Sequence, residues 1–418
     1  VHRWQSTTFF TYSFVIPKKI LTLFFIIPLA RKVIMKIEQM TWTEPTQWQM
    51  LSGSDAVFHP QLVLFFCASR INGLEERYAE LRSRYGSAEI IGCTTAGEIS
   101  GEEVLDNSVV VTAIEFDDAS IHVEYTDVQA MAESYQAGEK LGSALDKTGL
   151  RLAMLISDGH IVNGTELVRG ITSVLGTSIP VTGGLAGDAA HFEKTAVSVN
   201  APLVPGRVAV IGFYGEDLKI GHGSVGGWSA FGQDRRITKS EANVLYEIDG
   251  IPALKLYKAL LGDKAKDLPG ASLLFPLSIR PEDGSRESIT RTVLSINEDD
   301  NSMVFAGNMP VGYACRLMIA NFDQLVDGAS NAANEALNLS ELHQHNQRSL
   351  GVLVSCVGRK LVLGRRTADE VQAVRDILGT NAALTGFYSY GEICPHGKLL
   401  NCELHNQTMT VTTITEER

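Results

Sequence analysis

Apolar and polar positions fall into blocks along the chain, and one block order recurs three times. The first copy reads LVLFFCAS (62–69), NGLEERYAELRSRYG, IIGCTTAGEI and SVVVTAIEF. Short apolar runs bounded by turn residues predict strands, and Leu74, Tyr78, Leu81 and Tyr85 at helical spacing predict an amphipathic helix. The unit is strand, helix, strand, strand. A second copy runs RLAMLISDGH, NGTELVRGITSVLG with Leu167, Ile171 and Val174 on one face, IPVTGGLAGD, and RVAVIGFYGEDLKI. The third runs GVLVSCVG, ADEVQAVRDILG, ALTGFYSYGEI and MTVTTITE. Laid over SVVVTAIEFDDASI, the segment RVAVIGFYGEDLKI pairs Val109 with Val208, Asp118 with Asp217 and Ile121 with Ile220.

Each copy places a glycine and an acid after its second strand: Gly97-Glu98, Gly187-Asp188 and Gly391-Glu392. Two readings stand. Either the carboxylate accepts N–H groups of its own turn, or the turns face a shared cleft and the acids meet a ligand. In the last copy Tyr388 and Tyr390 fall on one face of a strand just before the glycine, with Phe387 on the other. This predicts that Tyr388, Tyr390 and Glu392 line the main pocket near His405 and Asn406, with Gly187 and Asp188 as further ligand-binding candidates. The first copy is expected to keep only the scaffold.

Between the second and third copies lie the glycine-rich GHGSVGGWSAFGQDRR (221–236), read as a turn and a boundary, and then a helix carrying Leu254, Tyr257 and Leu261. A hairpin turning over Asn297 to Ser302 and a helix at FDQLVDGASNAANEALN follow. The expected architecture is α/β (mixed α+β): two lobes with mixed β-sheets flanked by helices, divided at 35–236 and 237–418.

Residues 1–34 differ in character. ILTLFFIIPLA lies between Lys18-Lys19 and Arg31-Lys32, is too short to span a bilayer, and suits a signal-peptide h-region without a good cleavage signal. Because Met35 opens an ordinary amphiphilic start, the segment is read as a mis-started stretch, with a leader or anchor as the alternative. Of 418 residues, 44% are hydrophobic and 20% charged, ordinary for a globular chain of two or three domains. A net charge of −12 without clustered Lys or Arg argues against a nucleic-acid footprint. Cys67, Cys93, Cys315 and Cys356 sit inside apolar runs, a usage that suits packed free thiols and a cytoplasmic setting.

The stretches SDGHIVNGTELVRG, GGLAGD, GHGSVGGWSAFG, ITKSEANVLYEIDGIPALKLYKALLG, GFYSYGEI and LHNQTMTVTT resemble the signature segments of the FIST family, from about Leu62 to Glu416. The resemblance implies an intracellular ligand sensor coupled to a signalling partner, a histidine kinase or a cyclic-nucleotide signalling enzyme. It also implies that a haem b group sensing nitric oxide is to be considered, as in some stand-alone members. It does not locate the ligand. A haem needs a neutral imidazole on an apolar wall, and His160, His222, His191 and His405 are the candidates. Cys394, His396, Cys402 and His405 have the donor types of a tetrahedral zinc site, although the spacing is not a standard one. A small-molecule sensor without haem, taking an amino-acid-like ligand, is an alternative. So is a hydrolase built from Ser224, His222 and the Gly-acid turns, although no phosphate loop, HExxH, G-x-S-x-G or CxxC motif is present.

Overall fold

The computed structural model describes residues 35–53, 57–268, 270–285, 287–340, 348–396 and 401–417. The expectations for residues 1–34 lie outside the described residues. The first repeat comprises β1 (Lys36–Thr43), β2 (Gln47–Ser52), β3 (Leu62–Ala68), α1 (Leu74–Tyr85), β4 (Glu89–Thr95), β5 (Glu98–Ser100), β6 (Glu103–Leu105) and β7 (Ser108–Glu115). The second comprises β8 (Ser120–Asp127), α2 (Ser134–Ala144), β9 (Leu150–Ser157), α3 (Gly164–Leu175), β10 (Val181–Leu185), β11 (Val197–Val199) and β12 (Arg207–Tyr214).

The third repeat opens with β13 (Leu218–Val225) and is then interrupted. The insertion holds β14 (Trp228–Glu241), β15 (Val244–Ile248), β16 (Ile251–Pro252), α4 (Ala253–Leu261), β17 (Leu277–Arg280), β18 (Ile289–Arg291), β19 (Val293–Asn297), β20 (Ser302–Phe305) and β21 (Ala314–Ala320). The repeat resumes with α5 (Phe322–Leu339), β22 (Ser349–Cys356), α6 (Val357–Leu363), α7 (Thr367–Leu378), β23 (Ala382–Ser389), β24 (Gly391–His396), β25 (Asn401–His405) and β26 (Met409–Glu416). The inserted strands form their own sheet, packed on Leu254, Tyr257 and Leu261 of α4.

The three remaining sheets have one plan. In each, two parallel strands joined by helix lie side by side: β3 with β4, β9 with β10, β22 with β23. An antiparallel strand follows on the far side of the first (β7, β12, β26), and another beyond it (β1, β8, β13). The remaining edge is filled from a different repeat. Strand β5 pairs with β23, β24 with β10, and β11 with β4, so the exchange runs round all three sheets and closes.

The inner faces share one core, with Phe66, Ile91, Met154, Ile211, Val352, Phe387 and Ile414 among its members. Phe66 and Phe387, from different repeats, bring ring centroids within 4.8 Å. Helix α1 covers one outer face, α2 and α3 the second, α5 and α7 the third. Burial on both faces explains why the central strands read as unbroken apolar runs. These are the mixed sheets flanked by helices that the repeated pattern predicts.

Register shows the equivalences residue by residue. Gly92 lies opposite Phe65, Gly183 opposite Leu155, and Gly386 opposite Leu353. A Cβ at any of the three would fall well inside contact distance of that partner's carbonyl oxygen. Counting on from these positions sets Ala96, Gly187 and Tyr390 in one place. The hydrogen bonds agree, because Ala96 N–H donates to Tyr388 O, Gly187 N–H to Thr94 O, and Tyr390 N–H to Leu185 O. Gly187-Asp188 is therefore one residue out of step with Gly97-Glu98 and Gly391-Glu392, which corrects the equivalence expected from the shared glycine and acid.

The glycine-rich GHGSVGG is not a turn. Its first five residues lie in β13, where Gly221 and Gly223 point at α5 so closely that a Cβ on either would collide with the carbonyls of Ala336 and Ala332. The glycines admit a helix backbone, with Ala329, Ala332 and Ala336 facing them, rather than a flat ligand.

Candidate ligand cavity

Ligands of α/β sheets gather beyond the carboxyl ends of parallel strands. Here β9, β10, β22 and β23 end together, and a cavity of about 500 Å³ lies there. Its floor is Gly159 and His160 after β9, Leu185 of β10, Cys356 at the end of β22, and Tyr390 after β23. The inserted sheet supplies the opposite wall through Asn243, Thr292, Val293, Leu294, Val304 and Phe305. The volume suits a small organic ligand.

Two caps form the floor. The Asp158 carboxylate accepts backbone N–H groups of His160 (2.8 Å), Ile161 (2.7 Å) and Gly206 (3.1 Å). At the matching position of the third repeat, the sulfur of Cys356 faces the backbone N–H groups of Gly358, Arg359 and Gln407. Burial pushes the Cys356 thiol up, and Glu392 adds to this against the N–H groups. Asn163 caps α3 by accepting the Glu166 N–H at 3.2 Å.

Tyr390 is the wall residue that the sequence singles out. Its ring stacks on Phe192 with centroids 4.8 Å apart. Its hydroxyl accepts the Phe192 N–H (3.2 Å) and donates to Ala189 O (3.3 Å). Asp188 holds the other end of this loop by accepting the Ser69 hydroxyl and the Lys194 N–H (3.1 Å). Ala189 and Phe192 both take positive φ, 47° and 58°.

The other expected neighbours lie elsewhere. Tyr388 is fully buried and donates to Glu370 at 2.7 Å, and Glu370 in turn is paired with the buried Arg359 at 2.6 Å. Glu392 accepts the hydroxyls of Ser389 (2.7 Å) and Thr408 (2.9 Å) and the Thr408 N–H. Glu98 does the same with Thr95 and Ser108. Both carboxylates pin their turn to the next long strand, and burial lifts Glu98 to about 7 and Glu392 to about 8. Gly187 packs against the backbone of Thr95 and Ala96. His405 is buried, contacts the Cys394 carbonyl at 3.1 Å, and is lowered to about 3 by burial and by His396. Asn406 is buried, and its amide has no partner among the described residues.

Of the four candidate histidines, only His160 lines the cavity. His191 is exposed in the Asp188 loop, and His222 lies on β13 beneath α5, where burial lowers it to about 4. Among the described residues no three His, Cys, Asp or Glu side chains converge as a metal requires. Of the four candidate zinc ligands on the β24–β25 hairpin, His396 and His405 bring their ring centroids within 5.0 Å, but Cys402 lies opposite Pro395 with its thiol turned to Val181 O at 3.1 Å. Ser224 and His222 form no dyad, since the Ser224 hydroxyl has no partner among the described residues. No described helix is long and apolar enough to cross a membrane.

Residues 61–251 match the FIST N domain and residues 253–395 the FIST C domain. The chain carries both FIST domains. FIST domains are in general ligand-sensing signalling domains. An uncharacterised protein of Methanocaldococcus jannaschii is 28% identical over 192 residues, 42% of this chain. The match spans 36% of that relative, about a third of its length. A crystal structure of cyanuric acid hydrolase from A. caulinodans overlays at a TM-score of 0.39 and 9% identity, covering 92% of this chain and 99% of the other.

The inserted sheet's wall residues carry no local mark in the sequence. Strand Val293–Asn297 was legible as half of a hairpin, but nothing local says what a hairpin will cover. Cys356 is the packed thiol that its apolar run predicts, and its place at a strand end follows only from the fold.

Proposed function

We propose that this FIST protein senses a small molecule bound in the cavity between the strand ends and the inserted sheet, and passes occupancy to a separate signalling enzyme. One observation carries this: a 500 Å³ cavity lies where the two parallel strand pairs end and the inserted sheet closes over them. The loop tied down by Asp188 and Tyr390 at its rim is a ready reporter, because a ligand that moves Phe192 disturbs the Tyr390 hydroxyl bonds.

Haem does not suit the residues present. Its two carboxylates would meet no cationic side chain among the described lining residues, and the one histidine there, His160, is exposed. An amino-acid-like ligand meets the same objection, because neither of its charges would find a counter-charge among the described lining residues.

A thermal-shift screen of a metabolite library of mixed charge tests the proposal. Hits should stabilise the wild-type protein and lose their effect in Ala306→Trp, which fills the cavity. Hits that stabilise both proteins equally, or none at all, would overturn it.

A further inference from the structure

Resting on that reading, we infer that the ligand is uncharged and largely apolar, carrying a single hydrogen-bonding group that meets Thr292. Three observations converge. Among the described residues no Asp, Glu, Lys or Arg lines the cavity. An ionised ligand would leave water without a counter-charge, a loss of far more than one hydrogen bond.

The polar side chains of the lining are largely engaged within the protein. Asn163 caps α3, Asn243 donates to Phe305 O at 2.8 Å, Tyr390 ties the Phe192 loop, and the Cys356 sulfur faces its three N–H groups. What remains toward the ligand is the apolar surface of half-buried residues such as Leu273, Val304 and Ala306. The rim continues this character, for Met131, Phe192 and Leu294 are 50%, 42% and 48% exposed.

Two side chains stand apart: the His160 imidazole, exposed at the mouth, and Thr292, the buried one. Thr292 is only 5% exposed, and its hydroxyl is buried with no partner among the described residues. A buried hydroxyl left unpaired is costly, and a ligand amine, hydroxyl or carbonyl would satisfy it after rotation of that hydroxyl.

Fluorescence titration with a matched pair tests this: neutral N-phenyl-1-naphthylamine and the same skeleton carrying an 8-sulfonate. The neutral probe should bind at least about tenfold more tightly, and both Ala306→Trp and, at the rim, Leu294→Trp should abolish its binding with the melting temperature retained. Thr292→Val should weaken the neutral probe by about fivefold. The inference falls if the sulfonate binds as well as the neutral probe and is displaced in both Trp variants, or if the library's cavity-dependent hits are ionic. An unchanged affinity in Thr292→Val removes that hydroxyl from the site. If no compound of any charge distinguishes the wild type from the Trp variants, the cavity reading itself fails.

Discussion

Two tyrosines two residues apart separate stability from binding. The Tyr388 hydroxyl is committed to Glu370, deep between β23 and α7, while Tyr390 faces the cavity. Tyr388→Phe should cost about 1–3 kcal/mol in urea denaturation and leave probe affinity unchanged. Tyr390→Ala, which also releases the Phe192 loop, should weaken the neutral probe by about tenfold. Equal effects on affinity would contradict the division.

Glu392 belongs with the stabilising group, and its titration has a definite sign. Burial raises it from 4.5 to about 8, so its contribution is full below pH 4.5, where folded and unfolded chains both hold the proton. As pH rises from there through about 8, the unfolded chain releases its proton first and stability falls. His222 and His405, lowered to about 4 and about 3, act in the opposite sense and only as pH drops below 6.5. Between pH 6.5 and 8.5 the melting temperature should therefore decline less in Glu392→Gln than in the wild type, as read by calorimetry. Parallel curves would show that the carboxyl is ionised throughout.

Elements with a strong local period were legible in the sequence. The helices α1, α3, α4, α5 and α7 and the β19–β20 hairpin fall where periodicity and turn residues put them. Strand β13 was not legible in the same way. GHGSVGG has the glycine content of a loop, yet Gly221 and Gly223 stand at the period of two that marks one face of a strand. Their reason lies in α5, more than a hundred residues later, whose small residues Ala329, Ala332 and Ala336 allow backbone-to-backbone approach. Gly223→Ala should thus cost about 2 kcal/mol or more in chemical denaturation. Gly149→Ala, at φ 75° with open space around it, should cost only about 1 kcal/mol. A smaller loss at Gly223 than at Gly149 would mean that α5 can move aside. For the same reason the repeats were readable as units while their exchange was not: a short strand such as Glu98–Ser100 carries no local sign of which sheet it joins.

At the scale of the whole molecule, that exchange sets what can fold alone. The FIST N match ends at residue 251, but β5, β6 and β13 lie before that point and belong to the sheet built on β22, β23 and β26. In return β24 crosses to extend the second repeat's sheet at β10. Cutting between the two FIST domains leaves β10 with an open edge, β5 and β13 with no sheet, and the central core without Val352, Val354, Phe387 and Ile414. An open edge beside exposed apolar surface favours association. A fragment of residues 35–251 should therefore elute as aggregates in size-exclusion chromatography and show no cooperative calorimetric transition. Refolding it together with residues 252–418 should restore both the monomer-sized peak and the transition, because each fragment supplies edge strands that the other lacks. A 35–251 fragment that melts cooperatively by itself would show that the exchanged strands decorate a self-sufficient half, and the ring of three sheets would then not be the unit of folding.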